Sequence, residues 1–420
     1  MSRINLDALI LFHNVRQDIV IQASINFFDE LYGDIINCQK IDYYTVQRLL
    51  LAATDSHDIK GSYWQNYICK LVAESENFFS MMSEKGEIDE NIRSLVIREM
   101  DEIKKLYRFD WNIIANAFQD EISVCCLDLN PKDFYRKLKR EKVKTALEVN
   151  SNQESVDILF EYYGTSGCGV YEKYDAFVWD QGLIGIKNYD KISFDKLVGY
   201  EKQKEALIEN TELFLMGHKA NNVLLYGDRG TGKSSCVKAL LNKYHNHKLK
   251  IISLNKNQIY NLNKIIESIA DRGCKFIIFI DDLSFEDTEV VYKDFKSVIE
   301  GGIEAQPLNT LIYVTSNRRN IIKETWKERG DEGGDVHYND GMQERLSLAD
   351  RFGLSITFTS PDKSTYLEIV KGLAKQEALE VNESELIQEA LKWELRQSGR
   401  SGRTARQFIY YMQGKKMKQI

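Results

Sequence analysis

The chain has few of the residues that interrupt or cross-link a fold. Only three prolines occur in 420 residues, so long helices can run unbroken through most of the sequence. The seven cysteines include no C-x-x-C pair. An odd cysteine count without that spacing favours free thiols in a reducing compartment over a disulfide framework. We therefore expect a cytoplasmic protein.

Long apolar runs and an excess of positive charge are also lacking. No segment is apolar over the length needed to cross a bilayer, and the first residues lack the small-residue cleavage site of a signal peptide, so no membrane partner is expected. The net charge of -7 argues against a broad nucleic-acid-binding surface, which needs clustered Lys and Arg. Nucleic acid stays open as a partner, but the charge does not indicate it.

The length predicts about two to three domains, and apolar spacing and glycine content divide the chain into four parts. Residues 1–165 have helix-spaced apolar residues and few glycines, which predicts an N-terminal helical accessory domain. Residues 166–192 combine glycines with aromatic-rich extended segments and are predicted as a linker. Residues 193–360 alternate helices with short apolar strands, which indicates an α/β domain with a parallel sheet between helices. Residues 361–420 are predicted as a lid of three helices.

A glycine-rich segment follows the first predicted strand of the α/β domain. Residues 227–234 have the pattern G-x-x-x-x-G-K-S between the apolar residues 223–226 and a predicted helix. The glycines let several backbone N–H groups point at one anion, and the helix N-terminus adds its positive dipole end. Lys233 can neutralise the β- and γ-phosphates of a nucleotide, and the Ser234 hydroxyl can bind Mg²⁺. The predicted nucleotide-binding residues of this segment are Gly227, Asp228, Arg229, Gly230, Thr231, Gly232, Lys233, Ser234 and Ser235.

Polar residues follow two later strands. Asp281 and Asp282 come directly after the apolar residues 276–280, and Asn317 ends the next strand along the chain. Asp281 is predicted to hold Mg²⁺ through its water shell, and Asp282 to orient or deprotonate the attacking water. Asn317 is predicted to position that water. Asp282 reaches one methylene less than Glu, so we expect slow hydrolysis or a backbone that lies closer to the γ-phosphate.

Arginines near the end of the α/β domain and in the lid can reach phosphate charge. Arg351 is predicted to act on the γ-phosphate of a neighbouring subunit through its planar donors. Arg345 is the alternative, although a structural salt bridge suits Arg345 better. Arg403 is predicted to point back at the nucleotide from the lid, with Arg406, one turn away, as the substitute.

These elements, in this order, resemble the AAA+ ATPase superfamily of P-loop NTPases over residues 193–420. Residues 197–200 (LVGY) match the element whose backbone meets adenine in that superfamily, so the resemblance implies that Val198 and Gly199 contact the nucleotide. The acidic pair and the run ERLSLADRFGL with SPD are most similar to the replication-initiator and helicase-loader branch. There, the arginine matching Arg351 acts in trans, and the one matching Arg403 is the sensor 2 residue.

The longer string, from LVGYEKQKEALIE through GDRGTGKSS, DDLSFE and SGRTARQF, is similar to an uncharacterised bacterial AAA+ family with a domain of unknown function. The resemblance implies ATP, Mg²⁺, hydrolysis and assembly into a homo-oligomer, without a known substrate. An ATPase that remodels or loads an unidentified protein client is the favoured reading. The alternatives are a DNA-associated initiator or loader, and a nucleotide-switched scaffold with little turnover.

Overall fold

A computed structural model describes most of the chain. The described residues are 4–25, 40–53, 59–129, 134–245, 247–284, 295–296, 298–299, 307–317, 351–397 and 399–417. They fall into two compact units. The first is Met1–Lys173 with Arg272–Cys274, and the second is Tyr174–Asp271 with Lys275–Ile420.

The first unit is built from α-helices, which confirms the predicted helical character of this region. Residues 19–25 are helical, and the further helices are His13–Gln17, Lys40–Ala53, Tyr63–Ala73, Phe78–Lys85, Glu90–Tyr107, Trp111–Ala117, Phe134–Glu148, Asn152–Ser166 and Val170–Lys173. Strands β1 (Gly61–Ser62) and β2 (Asp128–Leu129) form a short antiparallel ladder. Side-chain caps begin several helices, and the Ser62 hydroxyl accepts from Gln65 N while the Gln65 side chain accepts from Ser62 N. Trp64 lies in the buried core and donates to the Leu106 carbonyl at 2.6 Å.

The second unit contains a seven-stranded sheet in the order β4-β3-β6-β7-β8-β5-β9. Its strands are β3 (Ala176–Trp179), β4 (Leu183–Gly185), β5 (Val223–Gly227), β6 (Leu249–Leu254), β7 (Lys275–Ile280), β8 (Thr310–Ser316) and β9 (Leu354–Phe358). All neighbouring pairs are parallel except β3 and β4. The helices are Glu201–Leu215, Lys233–Lys243, Leu262–Ala270, Lys363–Gln376, Glu383–Leu395 and Gly402–Met417. The predicted parallel α/β sheet is thereby confirmed.

Continuous apolar sequence accounts for the centre of the sheet. All seven residues of β8 are buried, and five of the six residues of β7 are buried, as expected for strands covered on both faces. The extended residues predicted within 166–192 form β3 and β4, and β3 pairs with β6. The segment after β6 begins with the 3₁₀ turn Lys256–Asn261, where Asn255 and Gln258 form a capping box, and continues as the helix Leu262–Ala270.

The strand order places three chain segments at one edge of the sheet. β8 lies between β5 and β7, with Tyr226 opposite Ser316 and Ile280 opposite Val314. Because parallel strands end at the same edge, the segments after β5, β7 and β8 meet there. The three C-terminal helices form their own small core around Tyr366, Val370 and Phe408. Within the described ranges, no helix combines the length and the apolar character that crossing a membrane would require.

Candidate nucleotide-binding site

A cleft of about 690 Å³ opens at this edge of the sheet, within the second unit. Most of the residues that the sequence predicts for the site line it together. They are Val198, Gly199, Arg229, Gly230, Thr231, Gly232, Lys233, Ser234, Ser235, Asp281, Asp282, Asn317, Arg403 and Arg406. Gly227 and Asp228 lie beside the cleft, where their carbonyls accept from Lys233.

The loop after β5 needs glycine because other strands and the lid approach it closely. Gly227 has φ 129°, and a Cβ there would lie 2.0 Å from the Phe358 carbonyl oxygen. Gly230 has φ 78°, and a Cβ there would lie 2.9 Å from the Ser401 hydroxyl. The Gly230 carbonyl accepts from Arg403 N at 3.2 Å, so the loop contacts the start of the last helix. These contacts keep the loop wrapped and place the lid against it.

Lys233 begins the helix after the loop and is buried. Its Nζ donates to the carbonyls of Gly227 at 2.8 Å and Asp228 at 2.7 Å, and lies 3.5 Å from Asn317 Oδ1. Burial lowers the pKa of the ammonium group, while the carboxylates of the cleft oppose that change. The loop carbonyls thus orient a cation toward the cleft.

Asp281 is held by hydroxyls from two directions. Ser234 Oγ and Thr315 Oγ1 each donate to Asp281 Oδ1 at 2.5 Å. The serine belongs to the phosphate loop and its helix, and the threonine to β8. Hydroxyl and carboxylate oxygens at this spacing are the hard ligands that Mg²⁺ prefers, so the residues present fit that ion.

Asp282 lies in the left-handed region, with φ 52°. Its N–H donates to Thr315 Oγ1 at 2.8 Å, and its carboxylate accepts from Asn317 Nδ2. Both Asp281 and Asp282 are exposed to the cleft. An exposed carboxylate beside an amide, near the Lys233 ammonium and the loop after β5, can orient a water molecule or accept a proton from it.

Apolar residues also line the cleft, and only Val198 among them was predicted. Leu197, Val198 and Tyr200 line it from the segment before the helix Glu201–Leu215, and Ile369 and Leu373 line it from the lid. Ile369 and Leu373 are spaced i, i+4 and so lie on one helix face. That spacing marks a buried face in the sequence, but it does not distinguish a face that covers a ligand from one that packs in the core.

The arginines separate into two groups. Arg403 and Arg406 both line the cleft from the last helix. Arg351 is half-buried and is not among the described residues that line the cleft. Arg345 lies outside the described residues. Sequence reasoning also passed over Thr315 in favour of Asn317, because a threonine inside an apolar strand carries the same signal as any β-branched strand residue.

The fold and this site define a class of protein. A mostly parallel sheet between helices, with the pattern G-x-x-x-x-G-K-S after β5, an acidic pair after β7 and three C-terminal helices, has the P-loop fold of the AAA+ type. A family model described as "Protein of unknown function (DUF815)" matches residues 172–416, which is more than half of the chain. The chain belongs to this family, and the predicted resemblance to the AAA+ superfamily near the replication-initiator branch is confirmed.

Similar proteins include a chromosomal replication initiator protein DnaA from Spiroplasma citri, 25% identical over 57% of this chain and 54% of that protein. A replication factor C large subunit from Methanococcus vannielii is 32% identical over 20% of this chain and 17% of that protein. The chain therefore spans about half the length of the first curated relative and less of the second. Among solved structures, the Thermotoga maritima RuvB Holliday junction branch migration motor is 18% identical, covering 53% of this chain and 63% of that chain, with a TM-score of 0.37.

Proposed function

We propose that this chain binds Mg-ATP in the cleft and hydrolyses it to ADP and phosphate. One observation carries the proposal. The hydrogen bonds from Ser234 and Thr315 to Asp281, together with that from Asn317 to Asp282, gather a loop hydroxyl, two carboxylates and an amide beside the buried Lys233. Phosphoryl transfer needs this combination of positioned cation, metal ligand and water-orienting group.

Each residue has a role that its position supports. The loop N–H groups of residues 228–235 and the Lys233 ammonium bind the β- and γ-phosphates. Ser234 and Asp281 would hold Mg²⁺, which would offset the charge of the phosphates. Asp282 accepts a proton from, or orients, the attacking water, and Asn317 holds that water in place. The apolar residues of the cleft, with Val198 and Gly199, receive the base.

Arg403 and Arg406 line the cleft and supply positive charge to the phosphates from the lid. Arg351 does not line it, so we propose that Arg351 serves the cleft of a neighbouring copy in a homo-oligomer. An arginine supplied in this way stabilises the charge of the transition state and is worth about 10³–10⁵ in turnover.

The first test separates binding from chemistry. Lys233→Ala should lose nucleotide binding, measured by titration with a fluorescent ATP analogue. Asp282→Asn should keep binding but lower phosphate release by about 10²–10⁴-fold. Lys202→Ala, which removes an exposed lysine outside the cleft, is the matched control and should resemble the wild type. ATP binding without any turnover by the wild type would favour the nucleotide-switched scaffold and contradict hydrolysis.

The second test asks whether the active site is shared between copies. Arg351→Ala should bind ATP but lose most turnover, and Lys233→Ala should be inactive by itself. In a mixture of the two variants, an intact loop on one copy can meet Arg351 on its neighbour, so turnover should return. A mixture that stays inactive, or a monomer that hydrolyses ATP at the full rate, would exclude the trans arrangement.

A DNA-associated role is the second candidate, favoured by the similarity to proteins named as a chromosomal replication initiator and a replication factor C subunit. The net charge of -7 weighs against it. Affinity for DNA, measured at several salt concentrations with and without ATP, tests it, because phosphate contacts make binding fall steeply with salt. ATP-dependent and salt-dependent binding would support a loader. If DNA binding is absent and the Asp282→Asn variant retains a protein in the presence of ATP, the results would support a protein-remodelling ATPase.

A further inference from the structure

We propose that Thr315 is a positioning residue that sets the geometry of both acidic residues at once; this inference rests on the proposed ATP hydrolysis. The Thr315 hydroxyl accepts from Asp282 N at 2.8 Å and donates to Asp281 Oδ1 at 2.5 Å. One hydroxyl of β8 therefore joins two consecutive residues that follow β7. Thr315 is 1% exposed, so this hydroxyl is removed from bulk water.

The turn after β7 needs this support because its backbone is unusual. Asp282 has φ 52°, a conformation that residues other than glycine rarely adopt and that persists only where surrounding contacts impose it. β8 supplies those contacts along its last residues. Besides the bond from Asp282 N, Leu283 N donates to the Thr315 carbonyl at 2.8 Å, and Ser316 Oγ donates to the Leu283 carbonyl at 2.9 Å.

The direction of these hydrogen bonds explains why a hydroxyl is required. A threonine hydroxyl has one proton and two lone pairs, so it can donate to a carboxylate while it accepts from an N–H. The single Thr315 proton goes to Asp281, and a lone pair receives the Asp282 N–H. Valine has the same shape but can do neither, and it would leave the part-buried Asp282 N–H without its acceptor.

The consequence concerns the metal and the water together. Thr315 and Ser234 donate to the same oxygen of Asp281, which fixes the position of that oxygen beside the phosphate loop. The bond to Asp282 N fixes the backbone from which the second carboxylate reaches Asn317. Groups that orient metal-binding carboxylates typically change metal affinity or activity by about 10–100-fold when removed.

The test compares three variants of buried strand hydroxyls. Thr315→Val should keep ATP binding but lower kcat by about 10–100-fold and raise the Mg²⁺ concentration that gives half the maximal rate. Thr315→Ser, which keeps the hydroxyl, should restore both values to within a few-fold of the wild type. Thr310→Val, at the opposite end of β8, removes a hydroxyl that is also buried and bonds Asn309, so it should leave kcat and the Mg²⁺ requirement unchanged.

The outcomes separate this inference from the proposed function. A wild-type protein that binds but does not hydrolyse ATP contradicts the proposed hydrolysis. A wild-type protein that hydrolyses ATP, with Thr315→Val showing normal kcat and normal Mg²⁺ dependence, contradicts the inference alone. Equal loss in Thr315→Ser and Thr315→Val also contradicts it, since the hydroxyl would then not be the active feature. If Thr315→Val does not fold, Thr315→Ala lacks the same hydroxyl without the added methyl group and is measured in its place.

Discussion

Two carboxylate sites, one in each unit, differ in burial and in the groups that surround them. In the first unit, Glu84 is 1% exposed and accepts from Arg272 Nη2 at 2.8 Å, from Gly273 N at 2.8 Å and from Cys168 N at 3.1 Å. In the second unit, Asp281 and Asp282 are exposed to the cleft. The first carboxylate is occupied by protein donors, whereas the second pair faces a space that a ligand can enter.

This difference separates a carboxylate whose partners are protein groups from a pair that lines an open cleft. Burial by itself would raise the pKa of Glu84, but Arg272 and the backbone donors hold that pKa below its ordinary value. The free energy of burying this charge is therefore offset by groups of the protein itself, and no ligand is needed to compensate the charge. The cleft instead combines two exposed carboxylates with the buried Lys233 ammonium. Charged groups that line an open cleft in this way can bind a ligand of opposite charge.

The largest expected effect comes from breaking the buried pair. Arg272→Met removes the cation and leaves the Glu84 carboxylate buried, which should lower the stability of the first unit by about 3–5 kcal/mol. Hydrogen exchange of the amides in Phe78–Lys85, together with urea unfolding, measures the loss. Adding Glu84→Gln to this variant should recover part of it. Unchanged exchange in Arg272→Met would show that the pair contributes no net stability.

A smaller effect should distinguish two glycines of the phosphate loop. Gly227→Ala must move the Phe358 backbone as well as adopt φ 129°, so it should cost about 1–3 kcal/mol or more. Gly232→Ala meets no atom within 4 Å and carries only the strain of φ 96°, which is about 1–2 kcal/mol. Thermal unfolding of both variants without nucleotide measures the difference. Equal unfolding midpoints for the two variants would mean that the Phe358 backbone of β9 moves away from Ala at position 227 without a cost in stability.

The smallest effect is expected from pH. Hydrogen bonds from Ser360 lower the pKa of the exposed Asp228 carboxyl, and Ser360 N lies 2.6 Å from its Oδ2. A lowered pKa in the folded state means that the contribution to stability is present above the ordinary pKa of 3.8 and is lost as the pH falls through the folded value. Unfolding of the wild type and Asp228→Asn between about pH 5 and pH 2 tests this sign. The variant should show the shallower loss, and a steeper loss would contradict the assignment.

The buried pair should respond to the same titration in the same direction but more strongly. Glu84 also has a lowered pKa, so its contribution is present above 4.5 and disappears as the pH falls through the folded value. Because Glu84 is buried and Asp228 is not, exchange in Phe78–Lys85 should increase more on acidification than exchange near the phosphate loop. A larger increase in exchange near the phosphate loop would contradict the stronger dependence of stability on the Glu84 carboxylate.

The local patterns of this chain predicted its second unit well. Two apolar runs, one before Gly227 and one before Asp281, predicted the bounds of two strands to within a residue. They did so because strands that are mostly buried consist of nearly continuous apolar residues. The pattern G-x-x-x-x-G-K-S predicted a phosphate loop from eight neighbouring residues, and most of these residues line the cleft. Roles of the individual residues remain predictions that the variants above test.

Contacts over long separations were not predictable in the same way. Glu84 and Arg272 are 188 residues apart, and nothing near either residue in the sequence indicates the other. The lid residues Ile369 and Leu373 look like an ordinary buried helix face. Thr315 looks like any β-branched strand residue, although its hydroxyl joins the two acids.

The sequence by itself determined the parts of this protein whose chemistry is local: the phosphate loop, the acidic pair, the strands and the capped helices. Tertiary structure alone decided that β8 lies between β5 and β7, and hence that Thr315 and Asn317 reach the acids. It also decided which carboxylates are buried and satisfied and which face the cleft. The physical reason is that propensity and capping act over a few residues, whereas strand order, burial and hydrogen-bond satisfaction depend on the whole packed chain.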